Sequence, residues 1–171
     1  MRHKRVENRF MNGTPAPATP RRFQAISIRL VIALLALVLG SAVLASCEST
    51  DADRLAVINA VNWSRAENGL PALSEHVTLN IKADAWAAQL RDDCRIRHST
   101  LSDGAPAEWR KLGENVGRGG SNDQIQAAYL NSPTHRANIL DSSFTSMGAG
   151  AVWGTCNGQR TLFTVQVFMR S

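Results

Sequence analysis

The sequence predicts an α+β domain, with helices in the first half and strands in the second. Apolar residues recur at helical spacing in two segments, residues 55–61 and 79–94. Two segments of strand character, residues 148–153 and 161–169, flank Asn157-Gly158, a dipeptide typical of tight hairpins. Because strands and helices do not alternate regularly, this order disfavours a doubly wound parallel sheet.

The first predicted helix lies between a polar segment and a proline. Its apolar positions run from Leu55 to Val61, directly after residues 48–51, which contain candidate N-cap side chains. Gly69 followed by Pro71 marks its C-terminal end, because glycine adopts the left-handed cap conformation and proline cannot continue a helix.

The second predicted helix has the most regular pattern, and its apolar face should carry a cysteine to the core. Ser121 and Ser132-Pro133 predict the starts of two shorter helices, the last one extending to Leu140. A short extended segment, residues 113–117, precedes them. The apolar face of the second helix consists of Leu79, Ala83, Trp86, Leu90 and Cys94.

The last predicted strand has apolar residues on both faces. Phe163, Val165 and Val167 alternate with Leu162 and Phe168, so each face carries an aromatic side chain. A strand of this kind is typical of the centre of a sheet that helices cover on both sides.

The N-terminus has the order of an export signal. A basic segment, residues 1–29, precedes an apolar segment, residues 30–44, which is short for a transmembrane helix. Leu44-Ala45-Ser46-Cys47 resembles the lipobox of bacterial lipoproteins. We therefore expect residues 1–46 to be a signal peptide, with Cys47 lipidated, residues 47–51 a short tether and residues 52–171 the folded domain. An uncleaved anchor helix is the alternative.

This interpretation predicts a protein lipid-anchored on the outward face of the cell membrane. On this interpretation the net positive charge of the chain lies in the signal peptide and not in the folded domain. Residues 1–47 hold seven of the nineteen basic residues and one of the fourteen acidic ones. Twelve basic and thirteen acidic side chains remain, and no basic patch indicates a nucleic-acid partner.

Two cysteines are left once Cys47 is assigned to the lipid. In an oxidising compartment Cys94 and Cys156 favour a disulfide, and two separate buried thiols are the alternative. On the chain-entropy model, closing a loop of this length contributes about 4 kcal/mol.

Several short motifs together resemble bacterial members of the CAP superfamily, the cysteine-rich secretory, antigen 5 and pathogenesis-related 1 proteins. The resemblance implies an α-β-α sandwich, with a small, mainly antiparallel sheet between helices and a cleft on the surface. The motifs, in chain order, are Asn62-Trp-Ser-Arg65 with Gly69-Leu-Pro-Ala-Leu73, Trp86, His98-Ser99, Gly113-Glu-Asn-Val116, Ser132-Pro-Thr-His-Arg-Ala-Asn-Ile-Leu140, Gly148-Ala-Gly150 and Gln166-Val-Phe168.

The same resemblance implies a divalent-cation site in the cleft, formed by two histidines and one or two acids. By position these are His98, Glu114 and His135, and Asp103 is the nearest candidate for the second acid. Two imidazoles and a carboxylate suit zinc with water as fourth ligand, whereas calcium prefers more oxygens. Each of these side chains could instead have a purely structural hydrogen-bonding role.

Three functions fit these observations. The first is a non-catalytic surface module that binds an unknown small ligand, a lipid or an envelope component. It agrees with the absence of a Gly-x-Ser-x-Gly elbow and of a His-Glu-x-x-His helix. The second is a metal-dependent hydrolase or peptidase with metal-bound water as nucleophile and Glu114 as base or ligand, or a variant that uses Cys94 with His135. The third is a purely structural or interaction domain.

Overall fold

Four helices and four strands are formed by residues 51–171, the part of the chain that the computed structural model describes. The predicted signal peptide and the predicted lipidation site Cys47 lie outside these residues. No helix within this part is long and apolar enough to cross a membrane. The elements, in order, are α1 (Asp51–Glu67), β1 (Ser74–Glu75), α2 (Val77–Asp92), β2 (Lys111–Gly119), α3 (Asn122–Asn131), α4 (Pro133–Ile139), β3 (Ser146–Cys156) and β4 (Gln159–Arg170).

The strands form one sheet in the order β1-β3-β4-β2. β4 pairs antiparallel with both β3 and β2, and only the two-residue β1 is parallel to its neighbour β3. Asn157 and Gly158 connect β3 to β4, both with positive φ, as the sequence predicts for a tight hairpin. The prediction of an α+β fold with a mainly antiparallel sheet is therefore confirmed.

The two faces of the central strand β4 lie in two separate cores. Phe163, Val165 and Val167 pack under α2, whereas Leu162 and Phe168 pack under α1, α3 and α4. The α-β-α sandwich is thus confirmed, and its cause is the alternation of apolar side chains along β4.

Two glycines of β3 allow α2 to approach the sheet closely. A Cβ atom on Gly148 would lie 2.3 Å from the backbone carbon of Leu79, and one on Gly150 would lie 2.3 Å from the carbonyl oxygen of Ala83. These distances are shorter than any real Cβ contact, so the position of α2 depends on glycine at both sites.

Polar residues of α1 fix the chain that follows the helix. The side chain of Asn62 donates to the carbonyl of Leu73 and accepts from its amide, at 3.1 and 2.8 Å. Arg65 is fully buried and donates to three carbonyl oxygens, including those of Pro71 and Ile139. Since both side chains satisfy buried backbone groups, their part in the sequence motif is structural.

A disulfide ties the end of α2 to the β3–β4 hairpin. Cys94 is bonded to Cys156, so the predicted pairing is confirmed. Arg118 of β2 donates to the carbonyl of Cys94 at 2.7 Å. The irregular segment that starts here, residues 95–110, carries His98 and is therefore fixed to the sheet at its beginning.

Candidate ligand cleft

His98 and Glu114 form a hydrogen-bonded pair at the edge of the sandwich. His98 Nδ1 lies 2.8 Å from Glu114 Oε1. The carboxylate also accepts from the backbone amide of Ser99, at 2.9 Å, and from its hydroxyl, at 2.6 Å. The side chain of Glu114 is only 1% exposed, whereas that of His98 is 63% exposed. Glu114 therefore holds the ring from behind and leaves the other ring nitrogen open to solvent.

Lys82 anchors the loop that carries His98, a role that the sequence pattern missed. It lies off the apolar face of α2, yet only 8% of its surface is exposed. Its ammonium donates to Ser99 Oγ at 3.0 Å and to the carbonyl oxygens of Thr100 and Asp103 at 2.9 and 2.7 Å. Burial lowers the pKa of Lys82, and the carboxylates of Glu114 and Asp103 oppose that shift.

His135 reaches the same region from the first turn of α4. Its ring lies against that of Tyr129, with centroids 5.1 Å apart and planes tilted by 57°. Burial lowers the pKa of His135, and a positive charge on His98 lowers it further, so the two imidazoles are near enough to interact. The lowered pKa favours the neutral form of His135.

A buried amide network joins β2 to α4 beneath the two histidines. Asn138 donates to the carbonyl of Glu114 at 3.2 Å and to Asn115 Oδ1 at 2.9 Å. Asn115 in turn donates to the carbonyl of His135 and to Gln166 Oε1, at 3.1 and 3.0 Å. These bonds fix α4 against the strand of Glu114. The two asparagines belong to the family motifs at residues 113–116 and 132–140, but nothing in the sequence indicates that they pair with each other.

Glu114 is not free to act as the third ligand of the predicted cation site. Both oxygens of Glu114 are engaged by His98 and Ser99. Among residues 51–171, no three His, Cys, Asp or Glu side chains lie close enough together to hold a metal ion. In this arrangement Glu114 would orient His98 rather than bind a cation directly. The zinc site, with or without Asp103, stays a prediction.

A groove of about 590 Å³ extends from His98 along α2. One wall is apolar, with Ile81, Ala85 and Trp86, and Ile81 is 65% exposed. The loop of residues 98–104 forms the opposite wall and contributes the polar side chains of Ser99, Thr100 and Asp103. We call this space the α2 groove; it falls within the usual size range of small-molecule sites.

A second groove lies between α1 and α3 on the other side of the sheet. Its volume is about 540 Å³, and Ala60, Trp63 and Leu130 line it. Trp63 is 69% exposed. None of the predicted site residues lies in this groove, so it is separate from the His98–Glu114 pair.

The disulfide excludes a catalytic mechanism in which Cys94 acts as a nucleophile with His135. A nucleophilic cysteine has to be a free thiolate, and Cys94 is bonded to Cys156. A Cys94–His135 pair therefore cannot act while this bond is intact.

Two solved structures share the fold of this chain. An outer surface protein from Borrelia burgdorferi has a TM-score of 0.60 and 19% identity, over 71% of this chain and 94% of that one. An extracellular protein containing a SCP domain from Bacillus anthracis has a TM-score of 0.55 and 22% identity, over 71% and 41% of the two chains. At these identities the likeness shows the fold alone.

Sequence comparison identifies the family. The uncharacterized protein YkwD of Bacillus subtilis is 30% identical over 105 residues, which cover 56% of this chain and 41% of that relative. The chain thus spans less than half the length of the relative. The model of the cysteine-rich secretory protein family, CAP, matches residues 58–168, which include the whole sheet except two terminal residues. This chain belongs to the cysteine-rich secretory protein family.

Proposed function

We propose that this protein is an exported, membrane-anchored module that binds an amphipathic ligand with a hydroxyl-bearing head in the α2 groove. The observation that carries the proposal is the juxtaposition of an exposed apolar helix face with an oriented imidazole at the same groove. Binding, rather than chemistry, is the activity that this arrangement supports best.

The sequence supports export and anchoring, and the disulfide supports export. The lipobox-like segment ends at Cys47, and the Cys94–Cys156 bond requires an oxidising compartment. Two similar structures are described as an outer surface protein and an extracellular protein. We therefore place the domain outside the cytoplasm, held to the membrane by a lipid on Cys47.

The apolar wall of the α2 groove defines one end of the ligand. Ile81 leaves 65% of its surface in water, and Ala85 and Trp86 continue the apolar wall along the helix. A contiguous exposed apolar surface beside polar groups is typical of binding sites. An acyl chain covering this wall would remove apolar area from water at about 25 cal/mol per Å².

The polar end of the groove selects the head group. The buried carboxylate of Glu114 accepts hydrogen bonds, so the hydrogen of neutral His98 lies on Nδ1 and the exposed Nε2 can accept one. Asp103, which lines the groove nearby, adds carboxylate oxygens that also accept. A head that carries hydroxyl donors satisfies both groups. A carboxylate head would meet the negative charge of Asp103, and Lys82, which also lines the groove, has its three donors engaged by the loop.

A divalent cation remains part of the proposal. His98 and His135 would hold it in place of a ligand hydroxyl at His98, and when bound it would supply a Lewis acid there. Glu114 would fix the ring of His98 through Nδ1, as carboxylates do behind metal-bound histidines.

Hydrolysis is the second candidate, and one observation supports it. A histidine oriented by a buried carboxylate is the arrangement of a general base. Its neighbour Ser99 cannot serve as the nucleophile in this arrangement, because its hydroxyl is engaged by both Glu114 and Lys82. The geometry therefore supports binding more strongly than catalysis.

Calorimetric titration with monododecanoylglycerol and with dodecanoate tests the proposal. We expect the glycerol ester to bind more tightly than the fatty acid, and Ile81→Asp to weaken its binding about tenfold or more. Val77→Asp is the matched control, because Val77 is 71% exposed on the same helix but does not line the groove. Absence of binding by the ester, or equal losses in the two variants, would overturn the proposal.

A further inference from the structure

Lys82 is linked to His98 through an unbroken series of hydrogen bonds. Its ammonium donates to Ser99 Oγ, the Ser99 hydroxyl donates to Glu114 Oε2, and Glu114 Oε1 faces His98 Nδ1. The four residues come from α2, the following loop and β2. The contacts measure 3.0, 2.6 and 2.8 Å, so each is a short, direct hydrogen bond.

The chemistry of Lys82 fixes the direction of these bonds. An ammonium has donors only, so Ser99 Oγ must accept from it. The single hydroxyl hydrogen of Ser99 is then directed to Glu114, whose ionised carboxylate can only accept. Glu114 Oε1 already receives the amide hydrogen of Ser99, and the remaining partner, His98 Nδ1, must also donate.

Charge and burial agree with this direction. The Glu114 side chain is 1% exposed, and an isolated carboxylate so deeply buried is costly. Lys82 is itself 8% exposed and lies on the other side of one hydroxyl group, where its charge compensates that of Glu114. Its other two donors hold the carbonyls of Thr100 and Asp103, so the position of Ser99 is fixed as well.

We infer that Lys82 is a positioning residue of the cleft: through Ser99 and Glu114 it fixes His98 in the tautomer with hydrogen on Nδ1 and a free electron pair on Nε2. The ligand-binding use of that electron pair rests on the proposed function. The tautomer itself does not, because it can be measured without any ligand.

Nitrogen NMR of the full chain, labelled with ¹⁵N-histidine in detergent micelles, tests the inference at a pH where the imidazoles are neutral. In the unmodified chain we expect His98 to show protonated Nδ1 and unprotonated Nε2. In Lys82→Met, the loop loses the three hydrogen bonds that fix the position of Ser99, so Glu114 is held less firmly. We expect a mixture of tautomers in which protonated Nε2 appears. Lys111→Met, which removes a lysine paired with Asp141 instead, should leave the His98 signals unchanged.

Ser99→Ala provides the second variant, because it removes the bridging hydroxyl without emptying the position of Lys82. We expect the same change of tautomer in Ser99→Ala. Should Lys82→Met fail to fold, a single Nδ1-protonated form in Ser99→Ala would still contradict a link that runs through Ser99. If the folded variants keep the single Nδ1-protonated form, Lys82 only anchors the loop and the inference is wrong. That result would not change the outcome expected from the titrations with monododecanoylglycerol and dodecanoate. Each of the two proposals can therefore be contradicted without the other.

Discussion

His98 and Glu114 are sixteen residues apart in the chain, and their side chains meet at 2.8 Å. One comes from an irregular loop and the other from a strand whose register is fixed opposite Val167 of β4. Because Glu114 is buried and the exposed His98 lines the α2 groove, the pair places an oriented imidazole beside this groove.

Zinc affinity should show whether Glu114 binds the cation directly or only orients the ring of His98. We expect Glu114→Gln to weaken zinc binding about ten- to a hundredfold, because His98 loses the partner that orients its ring. The double variant His98→Ala/His135→Ala should lose binding altogether, since it removes both imidazoles. Calorimetric zinc titration of the three proteins measures this.

Two outcomes would contradict this view of the cation site. Zinc affinity that persists in the double histidine variant would show that the site lies elsewhere. A loss in Glu114→Gln as complete as that in the double variant would indicate that Glu114 is a direct ligand.

Packing of α2 against β3 should not tolerate a methyl group at Gly150. The new Cβ atom would lie 2.3 Å from the carbonyl oxygen of Ala83, so Gly150→Ala must push the helix away from the sheet. We expect it to lower the free energy of unfolding by about 1–3 kcal/mol. Gly120→Ala is the control, because its Cβ would meet only the end of the Gln124 side chain at 3.2 Å. Urea unfolding that shows the same stability for both variants would exclude the close approach.

Acid should remove the stabilising contribution of Asp141. Its partial burial acts to raise the pKa, but hydrogen bonds from Lys111 and Ser143 outweigh that effect and lower the pKa to about 2. A carboxyl group with a lowered pKa stabilises the fold above its unfolded pKa of about 3.9, and this contribution is lost as the pH falls toward 2.

We therefore expect Asp141→Asn to be less stable at pH 7 by about 1 kcal/mol, after discounting for solvent exposure of the pair, and the difference to shrink between pH 4 and pH 2. Asp92→Asn, at a 66% exposed side chain, should change the stability by less than about 0.5 kcal/mol. Urea unfolding at several pH values measures both. A difference for Asp141→Asn that is independent of pH would contradict the assignment.

Membrane attachment should depend on Cys47. Cys47→Ala removes the predicted acylation site, so we expect the protein to leave the membrane fraction of the cell. Ser49→Ala, two residues further along the predicted tether, should remain in that fraction. Unchanged fractionation of Cys47→Ala would contradict lipid anchoring.

Apolar periodicity predicted the fold of this chain well. The alternating faces of β4 indicated a central strand between two helical layers, and Asn157-Gly158 indicated the hairpin. β1 could not be found in this way, because two residues are too few to show a period.

The candidate site was predictable only in part. His98, Glu114 and His135 followed from the family motifs, and the structure brings His98 and Glu114 into contact with each other. The roles of Lys82, Asn115 and Gln166 could not be predicted from the sequence. A buried polar side chain is identified by its hydrogen-bond partners, and the partners of these residues lie at no fixed spacing along the chain.

Chemical-shift mapping of the labelled protein with monododecanoylglycerol locates the ligand and so tests whether it binds in the α2 groove beside His98. We predict saturable shifts at Ile81, Ala85, the Trp86 indole and the His98 ring. Shifts confined to Trp63 and the other residues of the groove between α1 and α3 would contradict the claim.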